Sequence, residues 1–401
     1  MFPHHFRPLL VNIGALGLII GALVFVIRFD PEFRMPIIAT EPLATSSSQA
    51  AAIASTNAPI ESRSPTSTVA SESVMTLPTE SIPQTPTPQA SQEVAQPSQG
   101  TTSGKIERIQ DPYPFPPYTF DVVNIATREA LVNVLCLPQN GSLRPISGSG
   151  VIIDPRGVIL TNAHVAQYVL LSQDPRVDLS CLIRSGSPAV VRWKAEVLFL
   201  PPAWIEVHAS DIKVERPTGT GEHDYALLLV TKSLDGSPLP SSGGGFPFLS
   251  LDVREGVAFL DDQVLAASYP AEFIGGITAQ FNLYSVSSVT AIKQLLTFDT
   301  GTVDLLSLGG IIAAQGGSSG GAVVNAWGQL VGIITTTSEG ITTGERDLRA
   351  LSLNYIDRDI ATESGLNLIG ILNGDVVAEV TDFEAHIAPR LTQLLIDEIS
   401  N

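Results

Sequence analysis

Gln315-Gly316-Gly317-Ser318-Ser319-Gly320-Gly321-Ala322 sets a serine among glycines, between the apolar runs Ile311 to Ala314 and Val323-Val324. Glycine adopts positive φ without a Cβ penalty, so the stretch reads as a tight turn whose backbone can approach a bound molecule closely. Its N–H groups are then free to face a developing oxyanion, and Ser319 is the candidate nucleophile. A serine hydroxyl attacks poorly by itself, so the reading requires a histidine base and an acid that orients the base.

One candidate for each stands at a strand end. Thr161-Asn162-Ala163-His164-Val165-Ala166 follows an apolar run directly, which places His164 where a strand gives way to a short helix. His223-Asp224-Tyr225 precedes the run Ala226 to Val230, so Asp224 is expected at the edge of a buried strand, accepting from the imidazole and fixing its tautomer. Taken singly, His164 has a plainer reading as a structural histidine and Asp224 as a turn carboxylate. Their order, His164, Asp224, Ser319, and their wide spacing put the first two on one lobe and the third on another, with the site in the cleft between. His4, His5, His208, His223 and His386 lack a partner pattern, and no pair has metal-ligand spacing supported by further ligands, so no metal and no cofactor is expected.

Short apolar, turn-bounded segments run along the rest of the chain. They fall at Leu131 to Leu137, Gly150 to Ile153, Gly157 to Leu160, Val177 to Arg184, Val190 to Leu200 and Asp224 to Val230. After a Gly-, Ser- and Pro-rich crossing at Ser233 to Pro247 come Gln263 to Ser268, Gln280 to Ile292, Thr302 to Leu306, Gly310 to Ala313, Ala322 to Asn325 and Gln329 to Thr335. Helical spacing appears late, at Ser352 to Thr362 and Asp382 to Ile399. In the second segment Ile387, Leu391, Leu394, Leu395 and Ile399 share a face and Pro389 is expected to kink or delay the helix. The class expected is all-β, two antiparallel barrels closed by C-terminal helices.

Gly148-Ser149-Gly150-Val151-Ile152-Ile153, Thr161-Asn162-Ala163-His164, Asp224-Tyr225-Ala226-Leu227-Leu228 and Gly317-Ser318-Ser319-Gly320-Gly321-Ala322 together resemble the trypsin-like serine peptidases, nearest the HtrA (Deg) branch. The resemblance implies a chymotrypsin-like double six-stranded β-barrel and peptide-bond hydrolysis through an acyl-enzyme. It also implies an oxyanion hole from the backbone N–H groups of Gly317 and Ser319. By the same alignment the floor of the primary specificity pocket falls near Ala313 and its wall at Ile333-Ile334-Thr335. No carboxylate stands there, so small or medium apolar residues are expected before the scissile bond. Two departures stand out: Ser318 replaces the usual Asn or Asp, and no stretch after Ser364 is long enough for the PDZ domain of typical HtrA proteins. A catalytically silent double barrel that binds peptides or acts as a scaffold is the alternative reading.

Ahead of this body, the uncharged run Leu9 to Ile27 matches a bilayer core of roughly 30 Å at about 1.5 Å per residue, so residues 1–34 are expected to anchor the chain in a membrane. A cleaved signal peptide is the rival reading, against which Arg28-Phe29-Asp30-Pro31 offers no small-residue cleavage site. Residues 35–110, rich in Ser, Thr, Pro, Ala and Gln, read as a disordered linker. Residues 111–401 form the expected protease domain, with barrels at about 120–235 and 250–350 and closing helices over 352–401. Cys136 and Cys181 suit neither a redox pair nor a zinc cluster. A disulfide between them fits an extracytoplasmic location, two buried thiols being the other reading. With 22 basic against 40 acidic residues and a formal charge of -18, a nucleic-acid partner is set aside in favour of protein or peptide substrates.

Overall fold

Six antiparallel strands close into a barrel in the order β1-β2-β3-β6-β5-β4 in a computed structural model of the chain. The structure describes residues 106–400 apart from 140–142, 215–218, 241–243, 273–279, 299–300 and 339. The barrel strands are β1 Leu131–Pro138, β2 Ile146–Asp154, β3 Val158–Thr161, β4 Leu179–Ser185, β5 Val190–Phe199 and β6 Ala226–Ser233. Helix α1, Phe120–Ala130, leads into β1; α2, Ala163–Ser172, follows β3; α3, Pro202–His208, runs on into a 3-10 turn at Ala209–Lys213.

Successive side chains on a strand face opposite ways. Val132, Val134, Ile152, Ile159, Ile183, Val197 and Leu228, drawn from every strand of the barrel, share one apolar cluster that fills its interior. Their neighbours Leu131, Val151, Leu160 and Leu227 join another cluster with Leu265, Ala267, Leu305 and Ile333 of the second sheet. Strands buried on both faces need no polar alternation, which is why their sequences read as continuous apolar runs.

The second sheet has seven strands in the order β8-β7-β11-β12-β13-β10-β9. They are β7 Gln263–Ser268, β8 Val286–Ala291, β9 Gln294–Leu296, β10 Leu305–Gly309, β11 Ala322–Asn325, β12 Leu330–Thr337 and β13 Leu348–Ser352. Only Ile292 and Lys293 separate β8, which pairs with β7, from β9, which pairs with β10, so one bent segment carries both ends of the sheet and curls it into a barrel-like shape. Val264, Ala266, Leu306, Val323, Val331, Ile334 and Ala350 pack inside it. The stretch Gly310 to Ala313, expected as a strand, is instead a turn leading to the serine loop. Two antiparallel barrel-like sheets with C-terminal helices fit a chymotrypsin-like fold.

Four helices close the chain: α4 Leu353–Ser364, α5 Leu368–Asn373, α6 Val376–His386 and α7 Ala388–Ser400. Ser352 caps α4 by accepting from the Tyr355 N–H. The helical segment expected over Asp382 to Ile399 is broken at Ile387, and Pro389 lies in the first turn of α7, where its missing N–H leaves no bond unmade. Cys136 and Cys181 face each other across β1 and β4 and are joined in a disulfide spanning a separation of 45 residues. On the chain-entropy estimate such a loop contributes roughly 4 kcal/mol.

The aromatic lead-in lies against the second sheet. Tyr113 packs on Phe115 and Trp327, and the Trp327 indole donates to the Phe115 carbonyl at 3.0 Å. Ile106 and Ile109, inside the stretch that composition assigns to the linker, already pack on that barrel, with the Ile109 N–H donating to the Gly256 carbonyl. Among the described residues no helix is long and apolar enough to cross a membrane; the expected span, residues 9–27, and the linker up to residue 105 lie outside them.

Candidate active site

His164 stands in the first turn of α2, immediately after the barrel strand β3. The first N–H groups of a helix have no partner within it, and Asp224 supplies one: its Oδ1 accepts the His164 N–H at 3.0 Å. The same carboxylate receives the imidazole, with Nδ1 at 2.8 Å from Oδ2 and 3.1 Å from Oδ1. Thr335 on β12 donates its hydroxyl to Oδ2 at 2.7 Å, and Asn162 Nδ2 donates to the Asp224 backbone carbonyl at 2.7 Å. An ionised Asp224 only accepts, so Nδ1 carries the ring proton and Nε2 keeps its lone pair, the tautomer a general base needs.

The Asp224 side chain is 6% exposed and the His164 side chain 29%, so the carboxylate is enclosed while the imidazole keeps an open edge. Burial pushes the Asp224 carboxyl up, but the His164 charge and three hydrogen-bond donors outweigh it and hold the group below its ordinary value. Burial pulls the His164 imidazole down, and the Asp224 charge and hydrogen bond override it, leaving the ring above its ordinary value.

The serine turn is best judged by where each backbone group goes. The Gly316 N–H donates to Glu272 Oε2 at 2.9 Å, and its carbonyl accepts from the Ala271 N–H at 2.8 Å. The Gly317 carbonyl accepts the Ser149 hydroxyl at 2.8 Å, and the Ser318 N–H donates to the Gln315 carbonyl. The Ser319 carbonyl accepts the Ser149 N–H at 2.7 Å; the Gly320 and Gly321 N–H groups donate to the Ile334 and Ser318 carbonyls. Two N–H groups in the turn, those of Gly317 and Ser319, are left without an acceptor among the described residues. Gly317 and Gly320 hold φ of 93° and 82°, which only glycine adopts without strain. The Ser319 hydroxyl donates to the Thr335 carbonyl at 3.5 Å, at the long limit of such a bond, and no hydrogen bond joins it to the imidazole among the described residues.

Residues 148–333, the stretch carrying His164, Asp224 and Ser319, match the family model described as a trypsin-like peptidase domain. The chain resembles a trypsin-like serine peptidase near the HtrA branch. Two curated relatives, both named serine endoprotease DegS, from Escherichia coli strain K12 and Escherichia coli O157:H7, are each 27% identical over 202 residues. Each alignment covers 49% of this chain and 42% of the relative, so the chain spans less than half the length of the relatives it matches. The solved serine endoprotease from Yersinia pestis aligns at 21% identity and a TM-score of 0.39, covering 63% of this chain and 70% of that one.

Where trypsin-like peptidases carry Asn or Asp, Ser318 is 1% exposed and accepts from the Ser268 hydroxyl at 3.0 Å. A buried carboxylate there would demand a cation, whereas a hydroxyl is satisfied by another hydroxyl. The residues proposed for the specificity pocket are not brought to one wall. Ala313 and Ile334 share the interior of the second barrel, while Ile333 faces the core between the barrels, because consecutive strand residues point to opposite sides. Thr335, the fourth of them, spends its hydroxyl on Asp224. His223, next to Asp224, turns away at φ 56°, its Nδ1 2.7 Å from Asp359 on α4. Among the described residues no group of three His, Cys, Asp or Glu is arranged to hold a metal.

The roles of Thr335 and Ser149 as holders of the acid and of the serine turn escaped the sequence reading. Both are contacts between distant segments, and the only local signal was Ser149 inside the Gly148-Ser149-Gly150 string.

Proposed function

We propose that the protein is a serine endopeptidase anchored in a membrane, with its catalytic domain on the extracytoplasmic side. Ser319 attacks the peptide carbonyl, His164 takes its proton and later delivers it to the leaving amine, and Asp224 orients the imidazole and stabilises its charged form. The developing oxyanion is held by the N–H groups of Gly317 and Ser319. The reading is carried by one observation: the serine turn assigns an acceptor to its other amide N–H groups and reserves these two, beside a His–Asp pair in the base tautomer.

Supporting the location are the uncharged run Leu9 to Ile27, the Ser/Thr/Pro-rich residues 35–110 and the disulfide between Cys136 and Cys181. The substrates proposed are unfolded or exposed segments of envelope and secreted proteins. A second reading, a silent double barrel that binds peptides or scaffolds other proteins, is favoured by the Ser319 hydroxyl resting on the Thr335 carbonyl instead of the imidazole. Hydrogen bonds to the base are often long or misaligned before substrate binds, so the first reading is kept.

Labelling intact cells with a cell-impermeant fluorophosphonate, with and without prior external protease, tests both chemistry and topology. The expected result is a labelled band lost in Ser319→Ala and removed by the external protease. A wild-type protein that takes no label even in lysate supports the silent barrel, and label that appears only after lysis places the domain inside the cell.

A further inference from the structure

Two side chains far apart in sequence grip the loop that leads to Ser319. Glu272, just beyond β7, accepts the Gly316 N–H through Oε2 at 2.9 Å, while the adjacent Ala271 N–H holds the Gly316 carbonyl at 2.8 Å. Arg346, ahead of β13, donates through Nη1 to the same Oε2 at 2.7 Å and through Nη2 to Oε1 at 3.0 Å. Its Nη1 also donates to the Ala314 carbonyl at 2.9 Å and its Nε to the Gly340 carbonyl at 3.0 Å. The two side chains are only 11% and 24% exposed, Arg346 and Glu272 respectively. A two-point guanidinium–carboxylate pair partly withdrawn from water fixes geometry as well as charge, unlike an exposed ion pair. Three separate loops, before the serine, after β7 and between β12 and β13, meet at this one pair.

The peptide between Gly316 and Gly317 is the one that matters. In a planar trans peptide the carbonyl and the N–H point in opposite directions. Holding the Gly316 carbonyl on Ala271 therefore aims the Gly317 N–H the other way, to where it meets no acceptor among the described residues. With glycine on both sides, nothing in the local sequence resists rotation of this peptide, and rotation would present a carbonyl where an oxyanion needs a donor. The constraint has to come from outside the turn.

We propose that Glu272 and Arg346 are positioning residues that lock the Gly316–Gly317 peptide with its N–H toward the reacting centre, so that their ion pair sets how fast Ser319 reacts. This rests on the serine peptidase reading. A pair with a merely structural role would lower stability while leaving the folded enzyme's reactivity unchanged, so the readout must separate the two.

The test uses the full chain purified in detergent, a fluorophosphonate-rhodamine probe whose maximal inactivation rate and half-saturating concentration are both measured, and a thermal melt of each variant. Removing one oxyanion donor costs on the order of 10²–10³ in rate, so Glu272→Ala, which takes away the acceptor of the Gly316 N–H and loosens the loop while keeping the donor, is expected to slow the maximal rate roughly 10- to 100-fold. The half-saturating concentration stays near the wild-type value. Arg346→Met moves in the same direction, and Glu272→Gln, whose amide oxygen still accepts from Gly316, restores most of the rate. A folded Glu272→Ala labelled at the wild-type maximal rate overturns the proposal, as does a folded Arg346→Met at that rate should Glu272→Ala fail to fold. A wild-type protein that takes no label overturns the peptidase reading itself, and the clamp falls with it.

Discussion

His164 shows how little of a side chain's chemistry is its own. Burial pulls its pKa down and the Asp224 charge overrides burial, so the ring ends above the ordinary imidazole value of about 6.5. The protonated pair therefore adds stability that is present below that unfolded value and is lost as pH rises through the higher folded one. A base must be neutral, so reactivity runs the opposite way. The fluorophosphonate labelling rate is predicted to rise with pH through a midpoint above about 6.5, and Asp224→Asn is predicted to shift that midpoint down and cut the rate about 10⁴-fold. A wild-type midpoint at or below 6.5 contradicts this assignment of the base. The pairing of His164 with Asp224 and the glycine turn around Ser319 were legible because each lies in its own local string at a strand end or between glycines. Thr335, Ser149, Glu272 and Arg346 were not, since a hydroxyl or an ion pair that bridges loops leaves no periodicity and no spacing to read.

Among the elements, the strands that form the inter-barrel core were the most legible. Burial on both faces gives runs such as Leu131 to Leu137 and Gly157 to Leu160, and β7 and β11 match their expected bounds. The short strands β9 and β13 and the helix α1 went unread: β9 has three residues, too few to show alternation, and β13 breaks its apolar sequence with Arg349. The reverse error, reading Gly310 to Ala313 as a strand, has a physical cause: the segment is apolar because Ala313 packs into the second barrel, not because it pairs. The serine turn itself makes the sharpest demand on sequence. A Cβ on Gly320 would lie 2.1 Å from the Ser149 carbonyl oxygen and 2.5 Å from Thr161 Oγ1, at a φ of 82°. Gly320→Ala is predicted to lower stability by about 1–3 kcal/mol and to reduce labelling of the folded protein more than tenfold. Gly236→Ala is the control, with φ 79° but nothing within 4 Å of the added carbon, and should label normally. Equal labelling of the two would mean that the turn tolerates displacement.

At the scale of the whole molecule, the chain ends on the barrel that carries the base. Leu391 and Leu395 of α7 are fully buried in the cluster that includes Val165, Val169 and Leu170 of α2, the helix that begins with His164. The apolar face expected over Ile387, Leu391, Leu394, Leu395 and Ile399 is the face that packs there. Leu391→Ala is predicted to cost about 2–5 kcal/mol in a denaturant melt while the folded fraction labels at its usual rate; a loss under 1 kcal/mol would mean that α7 adds little to the barrel. The two-lobed architecture was legible because the strand runs fall on either side of one Gly/Ser/Pro-rich crossing. The seven-strand count of the second sheet was not, since one bent segment supplies two of its strands.

The central claim is that three side chains from the two lobes act on one substrate, and the mass of the purified protein after exposure to a fluorophosphonate tests it most directly. The account predicts one adduct, mapped to the peptide containing Ser319, absent in Ser319→Ala and formed at least a thousandfold more slowly in His164→Ala. No adduct on the wild-type protein, or an adduct that persists at an undiminished rate without His164, would contradict it.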